Sequence, residues 1–424
     1  MGRELTLKYA EMFGKNGKWN ITRFIYDVYR SGKVSELVSF TVWEFLHKFK
    51  LFPKSRYIKF NSNDVLMLEN QKLDSSDFNL EIQNFFKNKE LVLSKADHNW
   101  KQLFKNKGDI YGSLYPHDTD LYKSVDSGKS VIFVKKFPER IKSLFISSQN
   151  TIFVCVKGAV YVSSDEGKTF KKTLDMGSQE SWFRHNNEMT ETPDKTLILG
   201  EYGNIWDENG WRKLAFLYYS IDNGESWERS DFLIRKGTNK HVHLVKYSKL
   251  LNKLVMADGD NKKKLWISDT IDANESKNPH WNPVNKVHIQ MGGYTSVIES
   301  DEKIFFGTDY QGGTNFLVET KDGKRFTKNI VPDPYRRSPI NNMVQRKSNN
   351  GNEIWANLPF STKTSKCLLM YSKDDGQTWN KVFEYKANNY TVWLLNSSRE
   401  ISDDLYFSIE DHKNKNRIVY KIAD

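Results

Sequence analysis

The sequence predicts an all-β fold: a seven-bladed, alternatively six-bladed, β-propeller with a short helical N-terminal segment. Two observations predict it, a motif that recurs at blade-sized intervals and the paired apolar strands before each copy. The motif is S-x-D-x-G-x-[ST]-[WF]. Ser163 to Phe170, Ser220 to Trp227 and Ser372 to Trp379 fit it in full. A weaker copy begins at Ser124, and decayed copies stand at Ser268-Asp269 and from Thr320 to Phe326. The intervals between starts run from 39 to 57 residues.

The motif has a local physical logic. An Asp carboxylate accepts hydrogen bonds from backbone N–H groups of a tight turn. The Gly supplies a positive φ that other residues resist, the Ser or Thr bonds inside the turn, and the aromatic packs between neighbouring blades. The motif therefore shapes a hairpin and does no chemistry. Apolar strands precede it, such as Thr151–Cys155 and Ala159–Val162. A last hairpin, Leu405–Ile409 to Arg417–Ile422, has no copy. Six copies and this hairpin make seven blades; six remain if the weak first copy is not a blade. The chain ends on a third-strand pattern, so a strand from near Tyr57 to Phe60 is expected to close the ring as the outer strand of the last blade.

Composition narrows the class. The chain has 424 residues, 38% of them hydrophobic, with a mean hydropathy of −0.67. No apolar run reaches the roughly 18 residues of a bilayer span. Aromatic residues at 14% suit a β-rich, carbohydrate-handling protein. Two cysteines, Cys155 and Cys367, exclude a disulfide framework and a CxxC zinc site. The first residues lack the apolar core and cleavage site of a secretory signal, so a reducing, cytoplasmic location is expected, peripheral to the inner membrane face if the basic segment binds there. A short myristoylation pattern at Gly2 and Thr6 is a weak signal.

Charge divides the chain into a basic amphipathic segment, 1–55, and the propeller, 56–424. Residues 1–60 hold 12 Lys plus Arg against 5 Asp plus Glu, while the whole chain is only +11. Trp19, Ile21, Phe24, Ile25 and Val28 follow helical spacing, as do Leu37, Val38, Val42, Phe45, Leu46 and Phe49. Pro53 ends the second helix; Lys48, Lys50, Lys54 and Arg56 crowd its end. Such helices suit an anionic membrane surface, or they form a cap on the propeller. The apolar bulk argues against a nucleic-acid arm.

The boxes resemble the Asp-box (BNR) repeat of sialidases and related β-propellers, over roughly residues 110–424. That resemblance implies the scaffold. Propellers of this kind include sialidases, other glycosidases, polysaccharide lyases and non-enzymatic assembly factors and receptors. The sialidase set of an Arg triad and an Arg-Ile-Pro motif is not matched: Arg140-Ile141 is followed by Lys142, and Arg184, Arg212, Arg336 and Arg337 lack a diagnostic context.

In a blade, the inner strand starts and the second strand ends on one face, opposite the boxes. The sequence sends Glu201, Tyr202, Asp258, Asp309 and Tyr310 to that face from second strands, and Arg184, His185, Asn186, His241, His243 and Tyr294 from inner-strand starts. Tyr335-Arg336-Arg337 joins them, whereas Lys262-Lys263-Lys264 reads as a solvated turn. Carboxylates facing His or Tyr across a channel suit proton transfer at a glycosidic oxygen. Glu201 and Asp309 are the expected catalytic carboxylates, and His241 and His243 the proton carriers or anchors. Arg184, Arg336 and Arg337 are expected anion clamps, with His185, Tyr202, Asp258, Tyr294 and Tyr310 as further substrate contacts. No metal or cofactor is expected. The function expected is acid/base processing of an acidic polysaccharide or lipid-linked oligosaccharide. The alternative is a non-catalytic propeller that binds a glycan or protein, or a membrane-associated assembly factor.

Overall fold

In a computed structural model the described residues are 17–30, 34–185, 187–208, 210–238, 240–259, 264–269, 279–284, 293–310, 313–362 and 364–424, without the side chains of 17–20, 35 and 36. Gly2, Thr6, the Trp19 side chain, Asn186, Lys262 and Lys263 lie outside them.

Seven blades, each with a four-stranded core, form in chain order, and Asn396–Ser398 adds a parallel fifth strand to the first. Blades 1 to 6 span residues 100–136, 141–175, 189–230, 242–283, 293–330 and 342–385. Blade 7 is built from Tyr390–Leu394, Leu405–Asp411 and Asn416–Ala423, and its outer strand is Val92–Lys95. The weak box at Ser124 does sit in a blade, the first.

The boxes behave as their chemistry dictates. Asp165 Oδ1 accepts from the Thr169 N–H at 2.9 Å, Asp222 from Ser226 at 3.0 Å and Asp374 from Thr378 at 2.9 Å. The box glycine does more than turn the chain, because it brings each hairpin against the preceding blade. Gly224 has φ +89°, and a Cβ there would stand 2.2 Å from Phe153 in blade 2. Gly376 meets Phe305 of blade 5 in the same way, and Gly128 of blade 1 meets Tyr406 of blade 7. The box aromatic joins the same seam, with Trp227 6.2 Å from Phe153 between ring centres.

The closing strand differs from expectation. Tyr57 bridges Ile330 of blade 5 and Phe60 bridges Trp379 of blade 6. Residues 57–60 therefore lie on the outside of two earlier blades. From there the chain adds Leu66–Leu68 as a fifth, parallel strand on blade 6. It next forms helix α3 (Ser76–Asn88), which α1 (Gly17–Arg30) and α2 (Val34–Lys48) precede in the chain. Ser75 caps α3 by accepting the Phe78 N–H. Phe78, Ile82 and Phe86 are buried, and Phe86 packs against Phe383 of blade 6 and Phe407 of blade 7. Burial of each such side chain stabilises by roughly 1.5–3 kcal/mol, enough to fix the strap before it enters blade 7.

Candidate functional site

The expected site face is organised by an interruption in blade 3. Trp182 bridges Tyr202, yet the next inner-strand pair is Met189 with Leu199. Residues 183–185, 187 and 188 leave the sheet and enter the central channel. Arg184 is their hub. Its Nη1 donates to His243 O (3.3 Å) and Thr295 O (2.7 Å), and its Nη2 to Asn341 O (2.9 Å) and Oδ1 (3.3 Å). One guanidinium thus holds the inner edges of blades 4, 5 and 6. His185 bonds Leu103 O of blade 1 at 2.9 Å, and its own carbonyl accepts from Ser397. Ser143 of blade 2 donates to Phe183 O, and Asn187 donates to Thr295 O at 3.1 Å.

Glu188 lies under this hub and was not singled out from the sequence. It is fully buried, accepts the Arg184 N–H, and stands 3.9 Å from the Arg184 Nε. Burial pushes its carboxyl well above the ordinary carboxylate range, against the pull of Arg184. The available signal was the polar run Arg184 to Glu188, where other blades begin an apolar inner strand.

Several expected site residues do come together. Tyr202 stacks on His241 with ring centres 4.0 Å apart, and His241 stacks on His243 at 5.0 Å. Arg184 lies 5.7 Å over the Tyr202 ring. His241 Nδ1 bonds Gly203 O at 2.6 Å.

Other placements correct the expected roles. Glu201 is fully buried and accepts from Ser181 Oγ (2.5 Å), Tyr218 OH (2.7 Å) and the Gly177 N–H (3.1 Å). These three donors occupy the carboxylate that was to act on a glycosidic bond. Asp258 is likewise buried, accepting from Lys264 N at 2.8 Å and Trp266 Nε1 at 3.2 Å. Burial pushes it up to about 6. Tyr294 turns into the blade core, edge-on to Phe306 at 5.4 Å. Arg184 spends its terminal N–H groups on carbonyls, so it clamps the ring and not an anion.

Arg336 and Arg337 do clamp a carboxylate, but it is the protein's own. Glu44 of α2 accepts from Arg336 Nη1 at 2.6 Å and Arg337 Nη2 at 2.7 Å. Trp43 lies edge-on to Phe316 at 5.2 Å, and Phe40 stands 6.4 Å from Tyr310. Helix α2 therefore covers this face at blade 5. Asp309, half-buried and opposite Gly293 in register, belongs to the same blade and not to the stack at blades 3 and 4. Among the described residues no group of three His, Cys, Asp or Glu is placed to hold a metal.

A cleft of about 980 Å³ opens on the expected face between blades 2 and 3. Trp182 lines it together with Arg140, Lys142, Lys157, Arg212, Glu139 and Glu180; Arg140 pairs with Asp118 at 2.9 Å, while Lys157 and Arg212 stand 3.8 and 3.9 Å from Glu139 and Asp207. Lys142 Nζ stands 5.1 Å over the Trp182 ring, whose other neighbour is Tyr202 at 5.0 Å. The aromatic stack thus runs from the cleft to the channel. Glu201 holds the cleft wall, because its donors Gly177 and Ser181 belong to the loop that lines it. A short hairpin, Trp206–Asp207 paired with Gly210–Trp211, rises beside Asn204 and Arg212, with Trp206 exposed.

Comparison with known proteins agrees with this architecture. Residues 218–229 match the BNR/Asp-box repeat family, and this match together with the seven blades fits a BNR-repeat β-propeller. No curated protein matches it in sequence. Among solved structures it is similar to a catalytically inactive virginiamycin B lyase from Staphylococcus aureus with quinupristin. That match has 12% identity and a TM-score of 0.52, covering 79% of this chain and 99% of the other. It is also similar to the extracellular domain of a one-component system from B. thetaiotaomicron, at 11% identity and a TM-score of 0.50, over 78% of this chain and 39% of the other. At such identities the likeness shows the fold alone.

Proposed function

We propose that the protein is a recognition propeller that binds an acidic saccharide in the cleft between blades 2 and 3 without cleaving it. One observation carries this reading: four cationic side chains and a half-buried tryptophan line one open cleft, with Lys142 over the tryptophan ring. A sugar ring lies well on an aromatic face, and guanidinium and ammonium groups match its carboxylates. The internal bonding of Glu201, Asp258 and Arg184 supports binding over acid/base cleavage, since these groups face protein donors and acceptors. Trp206 on the neighbouring hairpin extends the aromatic surface at the rim.

Isothermal titration with acidic and neutral oligosaccharides tests the reading, with mass spectrometry of the same mixtures. Binding of acidic ligands alone is expected, falling about tenfold or more in Trp182→Ala, a loss of roughly 1.4 kcal/mol. Fragments whose summed mass gains one water would overturn the non-cleaving role. Equal binding of neutral sugars, or full affinity in Trp182→Ala, would remove the cleft from the proposal.

A further inference from the structure

We infer that α1 and α2 form a docking surface for an anionic lipid bilayer. Helix α2 is apolar on two sides. Its inner side is spent on the propeller through Phe40, Trp43 and the Glu44 clamp. Its outer side presents Val38, Val42, Phe45 and Phe49, spaced four, three and four residues apart, and all are exposed; Phe45 and Phe49 are 54% and 56% accessible. Leu51 continues the stripe. On α1, Ile21, Ile25 and Tyr29 are exposed at four-residue spacing. A helix face of this kind is ordinarily buried against something.

Charge selects the occupant. Among the described side chains of α2 the carboxylate is Glu44, which is turned inward and neutralised by two arginines. What stands beside the outer stripe is cationic: Lys48, Lys50, Lys54 and Arg56 are all exposed. Apolar side chains that enter the acyl boundary, with cations at the headgroup level, are the arrangement an interfacial helix uses on acidic lipid. A second copy of this chain fits less well, because pairing the stripes would press the same cations together. No described helix is long and apolar enough to cross a bilayer, so the contact is with the surface.

The geometry has a consequence for the cleft. Tyr310 and Phe316, which α2 covers, stand at the connection between the second and third strands of blade 5. Asn204 and Arg212 of the cleft stand at the same connection in blade 3. Both lie on the face opposite the boxes, so docking through α2 turns the cleft toward the lipid surface.

Flotation of the full chain with vesicles that carry no saccharide tests this independently of the cleft ligand. Phosphatidylcholine vesicles are compared with and without phosphatidylglycerol. Co-flotation with the acidic vesicles alone, weakened by salt, is expected. Phe45→Glu with Phe49→Glu, and separately Lys48→Glu with Lys50→Glu, are each expected to reduce the bound fraction tenfold or more. These residues are exposed, so thermal unfolding should stay at the wild-type midpoint. Absence of flotation, equal flotation with both vesicle types, or unchanged binding by both variants would overturn the inference. So would a dimer in light scattering that the Phe45/Phe49 variant dissolves, since the stripe would then serve a second copy.

Discussion

Arg184 and Asn341 meet inside the ring, the guanidinium Nη2 donating to the Asn341 carbonyl at 2.9 Å across 157 positions of sequence. The same group reaches His243 and Thr295, so blade 3 ties the inner edges of the three blades that follow it.

Arg184→Met is therefore expected to destabilise the fold by about 3 kcal/mol or more, because it strands several buried carbonyl acceptors at once and removes the one charge that opposes the desolvation of Glu188. Arg184→Lys should recover little, since an ammonium cannot reproduce the planar fork. Adding Glu188→Gln to Arg184→Met should restore part of the loss. Urea unfolding of the three variants measures it.

The Glu44 clamp predicts a separable effect. Burial works to raise the Glu44 carboxyl, but Arg336 and Arg337 overrule it and hold it below its ordinary value. Glu44→Gln should cost about 1–3 kcal/mol of helix docking while leaving the blades intact. Limited proteolysis should then cut between α2 and Lys54 well before the propeller core is touched.

Two buried groups give opposite pH dependences. Burial lowers His185 from 6.5 to about 4, so the unfolded chain binds the extra proton between these values. Its contribution is present above pH 6.5 and lost as pH falls toward 4. Burial raises Asp258 from 3.8 to about 6. Its contribution is present below pH 3.8 and lost as pH rises through 6. Each slope is at most about 1.4 kcal/mol per pH unit. The two windows overlap, so the slopes oppose one another between pH 4 and 6. In chemical unfolding at stepped pH, removing one group should uncover the other: with Asp258→Asn stability should rise more steeply with pH across that range, and with His185→Gln it should fall.

A box glycine and a plain hairpin glycine separate strain from packing. Gly224→Ala combines a positive φ with a Cβ 2.2 Å from Phe153, whereas Gly108→Ala has φ +94° with nothing within 4 Å. Gly108→Ala should cost about 1 kcal/mol from backbone strain. Gly224→Ala should cost at least 2 kcal/mol more, because the aromatic seam between blades 2 and 3 must open. Paired thermal melts check the difference.

The blade architecture was legible because each box is complete within eight residues: Asp, turn, Gly and aromatic act on their own neighbourhood. The grouping of Tyr202, His241 and His243 was legible for the same reason, since strand order assigns them to one end of adjacent blades. The closing strand was not. Val92–Lys95 carries little pattern of its own, and its place is set by α3 packing across blades 6 and 7. The cleft escaped as well, because Arg140, Lys157, Trp182 and Arg212 come from separate connections with no shared local signal.

The sequence left the blades at six or seven, but by itself determined the hairpins and the basic, apolar character of the first segment. These follow from short-range hydrogen bonds, a glycine φ and composition. Tertiary structure alone decided what the carboxylates and arginines do. Glu201 became an anchor for the cleft loop, Arg184 the hub of the channel, and Arg336 with Arg337 the clamp on Glu44. A charged side chain near buried backbone takes whichever partner the fold presents at hydrogen-bond distance, and that distance is set by ring closure and not by neighbours in the chain.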